Sequence, residues 1–189
     1  MANLTKIAIA NAFKELIQKR SVSEITINDL TSYCGLNRQT FYYHFQDIYD
    51  LIEWIFIDDS DKVVGLHKTI NNWQEGYLAL FNYCLENKKL VTYTYNSVSR
   101  KILINFLYKV AFNFLKNVAD DLAKNMNIRE EDKNFVINFY KYVFVGLITE
   151  WIDNNMLENP KNIINKLNQL IAGEMKENLE RFNYHGTKN

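Results

Sequence analysis

The sequence predicts an all-α protein: an N-terminal three-helix domain with a helix-turn-helix, then a C-terminal helical bundle. Three observations lead there. Only six Gly and one Pro interrupt 189 residues, which favours helices throughout. Apolar residues recur three and four apart along most of the chain, the period of an α-helix with one buried face. Residues 25–45, Ile-Thr-Ile-Asn-Asp-Leu-Thr-Ser-Tyr-Cys-Gly-Leu-Asn-Arg-Gln-Thr-Phe-Tyr-Tyr-His-Phe, read as two short helices joined by a tight Gly-containing turn.

The first helix is expected over about residues 4–19, burying Ile9, Ala12, Phe13, Leu16 and Ile17. Residues 20–24 form the loop to the second. Thr26 precedes an apolar-periodic run and has Asp29 three residues on, a capping-box start with Asp in place of Glu. Ile27, Leu30, Tyr33 and Cys34 carry that helix to about residue 34. Gly35 can then take the left-handed conformation that ends a helix, and Leu36 plugs the turn. Asn37 is an N-cap for a third helix over about 38–44. Phe41 and Phe45, four apart, face the core.

Asp47 opens a fourth helix to about Ile57, with Ile48, Leu51, Ile52 and Ile55 inward. The acidic run Asp58-Asp59-Ser60-Asp61 is expected on a loop or a solvated helix end. Further helices follow over 71–86, from the Ser99 cap to about Met126, and from Glu130 to about Met156; a short aromatic segment, Leu90 to Tyr95, lies between the first two. Pro160, favourable in a first turn, opens a last helix to about Phe182, and residues 183–189 read as a frayed tail. These elements divide into a DNA-binding domain, 1–46, and a regulatory and dimerisation domain, 47–189.

Two apolar stripes run along the 130–156 helix. Phe135, Phe139, Tyr142 and Gly146 form one; Val136, Tyr140, Val143, Leu147 and Trp151 form the other. One stripe suffices for a domain core, so the second implies a partner. Paired with Ile163, Ile164, Leu167, Leu170 and Ile171 of the last helix, it forms a four-helix interface between two copies. Gly146 costs about 1 kcal/mol against Ala in a helix, a cost that close helix approach explains. The competing reading buries both stripes in one chain.

On the third helix, Arg38, Gln39, Thr40 and Tyr43 fall away from Phe41 and Phe45, near the end that reaches base edges. Arg grips guanine O6/N7 and Gln adenine N6/N7, each discriminating by roughly 1–3 kcal/mol. Tyr42 and His44 suit phosphate contacts, which position without specifying. Trp73, Tyr77, Phe81, Tyr93, Tyr95, Phe106 and Phe112 are candidates to line an apolar effector cavity, with the segment Tyr93 to Asn96 as a polar wall. Against this, the same rings serve equally as core.

Composition narrows the function. Net charge is zero. Residues 1–46 hold five cations (Lys6, Lys14, Lys19, Arg20, Arg38) against three acids (Glu15, Glu24, Asp29). So small an excess argues against indiscriminate coating of DNA and for two modest surfaces acting together in a dimer. Cys34 and Cys84 sit in apolar patterns as buried free thiols. His44, His67 and His185 show no zinc spacing, so no metal and no cofactor is expected. No nucleophile–base pair, paired-carboxylate set or phosphate loop points to an enzyme. With no signal peptide and no uninterrupted run of 18 apolar residues, a cytoplasmic protein without membrane contact is expected.

Residues 4–54 resemble the N-terminal domain of the TetR family of bacterial transcription regulators. The likeness rests on Thr5-Lys6-Ile7 through Phe13-Lys14-Glu15-Leu16, on Ile25 to Leu30, and on Gly35 to Phe45. Asn37 to Phe45, followed by Asp47 to Trp54, further resembles a subgroup that includes regulators of dihydroxyacetone kinase operons. The resemblance implies that Thr26 caps the second helix and touches phosphate, that Arg38, Gln39, Thr40 and Tyr43 read bases, and that Tyr42 and His44 grip the backbone. One departure stands out. The family commonly has a phosphate-clamping Lys at the start of helix 4, where this chain has Ile48; Lys6 is the candidate to compensate. The expected function is a dimeric repressor of an inverted-repeat operator on double-stranded DNA. A small-molecule or protein effector would control it by shifting helix 4 and moving the reading heads apart. The alternative is an activator that depends on a protein partner.

Overall fold

The computed structural model describes residues 2–66 and 73–184. His67, Asn71, Asn72 and residues 185–189 of the tail expected over 183–189 lie outside the described residues. Among those described, every regular element is helical: α1 (Ala2–Lys19), a 3-10 turn (Val22–Glu24), α2 (Ile27–Tyr33), α3 (Arg38–His44), α4 (Ile48–Leu66), α5 (Trp73–Glu86), α6 (Lys88–Tyr95), α7 (Arg100–Leu122), α8 (Glu130–Asp153), α9 (Pro160–Ile171) and α10 (Glu174–Glu180). Two compact units result, residues 1–59 with 87–103 and residues 60–86 with 104–189.

The first unit holds α1, α2, α3 and α6 with most of α4. Its centre is Ile9, Phe13, Ile17, Leu30, Phe41 and Phe45 with Leu51, Ile52, Ile55 and Phe56, all buried. The α4 helix runs nine residues past the expected end near Ile57, straight through the acidic run. Asp59 lies inside it and is buried; its carboxylate accepts from Lys14 Nζ of α1 at 2.6 and 2.9 Å. A buried carboxylate needs such a partner, and Lys14 stands 45 residues away in sequence, where no local pattern reveals it.

In the second unit, rings pack among buried aliphatic side chains such as Leu80, Leu107, Leu115 and Ile148. Tyr77 packs on Phe81 and Phe144 at centroid distances of 4.6 and 4.5 Å, and Phe81 meets Trp151 edge-on at 4.7 Å. Gly76 lets α5 approach α7 this closely: a Cβ there would lie 2.7 Å from Phe114 Cγ. An ion pair joins α7 to α8, with Lys133 Nζ 2.6 Å from Asp120, and Lys133 also pairs with Glu130 within α8 at 2.9 Å. Both acids stay open to solvent, 40% and 63% exposed.

The helix expected from Pro160 to Phe182 is two helices. Gly173, at φ 84°, caps α10 in the left-handed region and breaks the run. By length and composition α8 could also cross a membrane, with mean hydropathy 1.3 over 18 residues. Of that stretch 44% is buried, and Val136, Tyr140, Phe144, Ile148 and Trp151 of this helix belong to the core.

Candidate nucleic-acid interface

Local chemistry builds the helix-turn-helix. Thr26 Oγ1 accepts from Asp29 N at 3.2 Å, and Asp29 Oδ2 accepts from Thr26 N at 2.8 Å and from Thr26 Oγ1 at 2.6 Å. Arg20 Nη2 adds a 3.0 Å ion pair. The Thr26 hydroxyl and backbone bonds, with Arg20 behind them, hold the Asp29 carboxyl down at about 2, because they favour the ionised form. Gly35 takes φ 65° and turns the chain. Asn37 Oδ1 then accepts from Thr40 N at 2.8 Å and Thr40 Oγ1 at 2.9 Å, capping α3. Phe41 and Phe45 root α3 in the core, their rings 5.7 Å apart.

The outer face of α3 carries the candidate readers. Arg38 and Gln39 are exposed, and Tyr43 is 81% exposed. Arg38 Nη2 donates to the Tyr42 hydroxyl at 3.1 Å, and the Tyr42 ring sits edge-on to Phe41 at 5.7 Å. His44 is half-buried against Tyr43, with centroids 4.9 Å apart. Lys6 Nζ lies over Phe45 and Trp54, 5.2 and 5.7 Å from their centroids, so α1 presents its ammonium beside the base of α3. The cap engages Asn37 and Thr40, whose side chains are therefore less free than Gln39.

Two features escaped sequence reasoning. Tyr33, read as part of the buried stripe of α2, is exposed, with Lys19 Nζ 5.8 Å from its ring. Cys34, expected buried, is half-buried, its Sγ donating to Ala8 O at 3.5 Å. Both sit at the end of α2, where the helix turns out of register with the core.

The aromatic effector candidates fall in both units. Trp73, Tyr77, Phe81 and Phe106 belong to one unit, Tyr93 and Tyr95 to the other. Tyr77 and Phe81 are fully buried, and Tyr77 donates to Phe144 O at 2.7 Å. They fill space instead of lining it. Tyr95 is buried under the Arg100 guanidinium, and Tyr93 bonds the Tyr49 hydroxyl.

The two α8 stripes differ in exposure. Phe135, Phe139 and Tyr142 are 68%, 56% and 57% exposed, Gly146 is exposed with no atom within 4 Å of an added Cβ, and the other stripe is mostly core. On α9, Leu170 points outward and Ile163 and Ile171 are half-buried. Leu167, expected in the interface, is 4% exposed: α9 packs on α5, and that contact claims it. Leu147, Trp151, Ile163, Lys166 and Leu170 border a groove of about 230 Å³ between α8 and α9.

Comparison with known proteins decides the family. Residues 9–55 match the family described as bacterial regulatory proteins, tetR family, and residues 71–173 match the transcriptional regulator C-terminal region of such proteins. The chain belongs to the TetR family. It is a DNA-binding transcription regulator, of a family that is not enzymatic. The HTH-type dhaKLM operon transcriptional activator DhaS of Lactococcus lactis subsp. lactis (strain IL1403) is 34% identical over 85 residues, 45% of this chain. The chain spans about half the length of that relative, 46%. Among solved structures, the dihydroxyacetone kinase operon activator DhaS has a TM-score of 0.69 at 25% identity, covering 95% of this chain and 98% of that one. The fatty acid degradation regulator FadR from Bacillus halodurans shares the fold, with a TM-score of 0.61 at 15% identity over 88% of this chain and 93% of its own.

Proposed function

We propose that this TetR-family regulator is a homodimer that reads an inverted-repeat operator with one α3 per half-site and activates transcription in the cytoplasm. Residues 1–46 serve as the reading domain and residues 47–189 as the regulatory and dimerisation domain. Arg38, Gln39, Thr40 and Tyr43 take the base edges; Lys6, Tyr42 and His44 take the phosphates, while Thr26, whose hydroxyl and amide both donate to Asp29, holds the start of α2. One observation carries this reading: Arg38, Gln39 and Tyr43 face outward on a capped helix whose opposite side is locked by Phe41 and Phe45. A rigid helix with a polar outer face is what a major groove accepts.

Activation, the alternative to the repressor expected from sequence, is supported by the role named for both DhaS proteins. A protein effector accords with the close packing of Tyr77 and Phe81 against Phe144 and Trp151. Dimerisation through α8 and α9 is supported by the outward Phe135, Phe139, Tyr142 and Leu170 and by a glycine at 146 that nothing in its own chain needs.

Selection of duplexes from a random pool by the purified chain tests the reading, followed by transcription from a promoter bearing the selected site. A two-fold symmetric site and increased transcript are expected; an asymmetric site, or repression, refutes it. Phe139→Asp should turn a sedimenting dimer into a monomer and leave only weak half-site binding. A variant that stays dimeric refutes the assigned interface.

A further inference from the structure

The proposed roles on α3 divide cleanly: Arg38 reads bases and Tyr42 holds the backbone. The geometry points to a less separate arrangement, in which Tyr42 is a positioning residue for Arg38 and so a determinant of specificity. The inference rests on the reading of Arg38 as a base-contacting residue and goes beyond it.

Arg38 and Tyr42 are four residues apart on α3, so their side chains lie on one face. The Arg38 Nη2 donates to the Tyr42 hydroxyl oxygen at 3.1 Å, with the guanidinium carbon 5.5 Å from the ring centroid. Tyr42 is itself held: its ring stands at 90° to that of Phe41, 5.7 Å away, and Phe41 is fully buried. A continuous line therefore runs from the core through Phe41 and Tyr42 to an exposed cation.

An untethered arginine on a surface helix samples many rotamers and loses that freedom when it pairs with a base. Here one N–H is already engaged, which restricts the fork before DNA arrives. The remaining donors stay available for the two-acceptor edge of guanine. The phenol oxygen accepts from Arg38 and keeps its own proton to donate to a phosphate. One hydroxyl can thus bond the groove-reading side chain and the DNA backbone together, so the position of Arg38 depends on where the backbone lies.

The test uses full-length protein and the highest-affinity duplex recovered by selection from a random pool. Affinities of wild type, Tyr42→Phe, Arg38→Ala and the double variant are measured by fluorescence anisotropy on that duplex and on duplexes altered at each position. Phe keeps the ring on Phe41, and a matched melting curve confirms the fold. Arg38→Ala should lose discrimination at one position per half-site. Tyr42→Phe should weaken all duplexes and also reduce discrimination at that same position by about two- to tenfold, the worth of one net hydrogen bond. In the Arg38→Ala background the hydroxyl should affect affinity alone. If Tyr42→Phe weakens matched and altered duplexes by one factor while Arg38→Ala still erases a preference, the tether is wrong and the reading of Arg38 stands. If Arg38→Ala leaves every preference intact, that reading falls, and the tether with it.

Discussion

Salt is the most direct perturbation of the proposed interface, because the structure limits how many cations can reach phosphate. Of the five in residues 1–46, Lys14 is bound to Asp59 at 2.6 Å and Arg20 to Asp29 at 3.0 Å. Lys6, Lys19 and Arg38 instead lie over aromatic rings at 5.2, 5.8 and 5.5 Å, which costs little to leave. Counting Arg38, the proposed base reader, as if it also neutralised a phosphate, three such cations in each of two protomers neutralise about six phosphates at most. Each contributes about −0.9 to the slope of log affinity against log salt, so the dimer should show a slope no steeper than about −5. Between about 50 and 200 mM salt, affinity should fall about 10³-fold. Fluorescence anisotropy with a selected duplex across a potassium chloride series measures this. Lys6→Gln, present twice in the dimer, should flatten the slope by about 2. A wild-type slope steeper than about −7 would mean that Lys14 and Arg20 leave their carboxylates for DNA. A slope unmoved by Lys6→Gln would remove Lys6 from the interface. Either result refutes the assignment of cations made from the ion pairs.

Gly76→Ala gains about 1 kcal/mol in helix propensity but drives a methyl to 2.7 Å from Phe114 Cγ. Phe114 is 4% exposed and cannot swing out, so overpacking of about 1–3 kcal/mol should prevail; an unchanged or higher urea midpoint would show that the ring can yield. Asp29 supplies a pH test. Its folded pKa of about 2 lies below the ordinary 3.8, so its contribution is complete above about pH 4 and fades as pH falls toward 2. Asp29→Asn should therefore flatten the acid limb of stability measured by circular dichroism, and a variant with the wild-type slope would show that the Thr26 and Arg20 bonds contribute nothing to it.

The sequence makes the helix-turn-helix legible because its determinants are local. Thr26 with Asp29, Gly35, Asn37 with Thr40, and Phe41 with Phe45 each act within four residues. The failures share the opposite property. That Asp59 is buried within a helix goes with Lys14, 45 residues away, and Asp61 pairs with Lys109, 48 residues on. That Gly76 is needed depends on Phe114 in another helix. Leu167 and Leu170 are the same residue type three positions apart, and only the packing of α9 on α5 decides that one is core and the other surface. Rings at helical spacing suit a cavity wall and a solid core equally, and only tertiary contacts show Tyr77 and Phe81 fully buried.

The cap of α3 also restricts what its third residue can say to a base. The backbone N–H of Thr40 can only donate, so the Asn37 atom it meets at 2.8 Å is the carboxamide oxygen. The Thr40 hydroxyl, 2.9 Å from that same oxygen, must then spend its hydrogen there. What it still offers outward is a pair of lone pairs and a methyl. In the major groove these complement the exocyclic amino groups of adenine and cytosine and the methyl of thymine, and have nothing to give the acceptors of guanine. A bond made to begin a helix thereby removes one letter from the vocabulary of a neighbouring side chain.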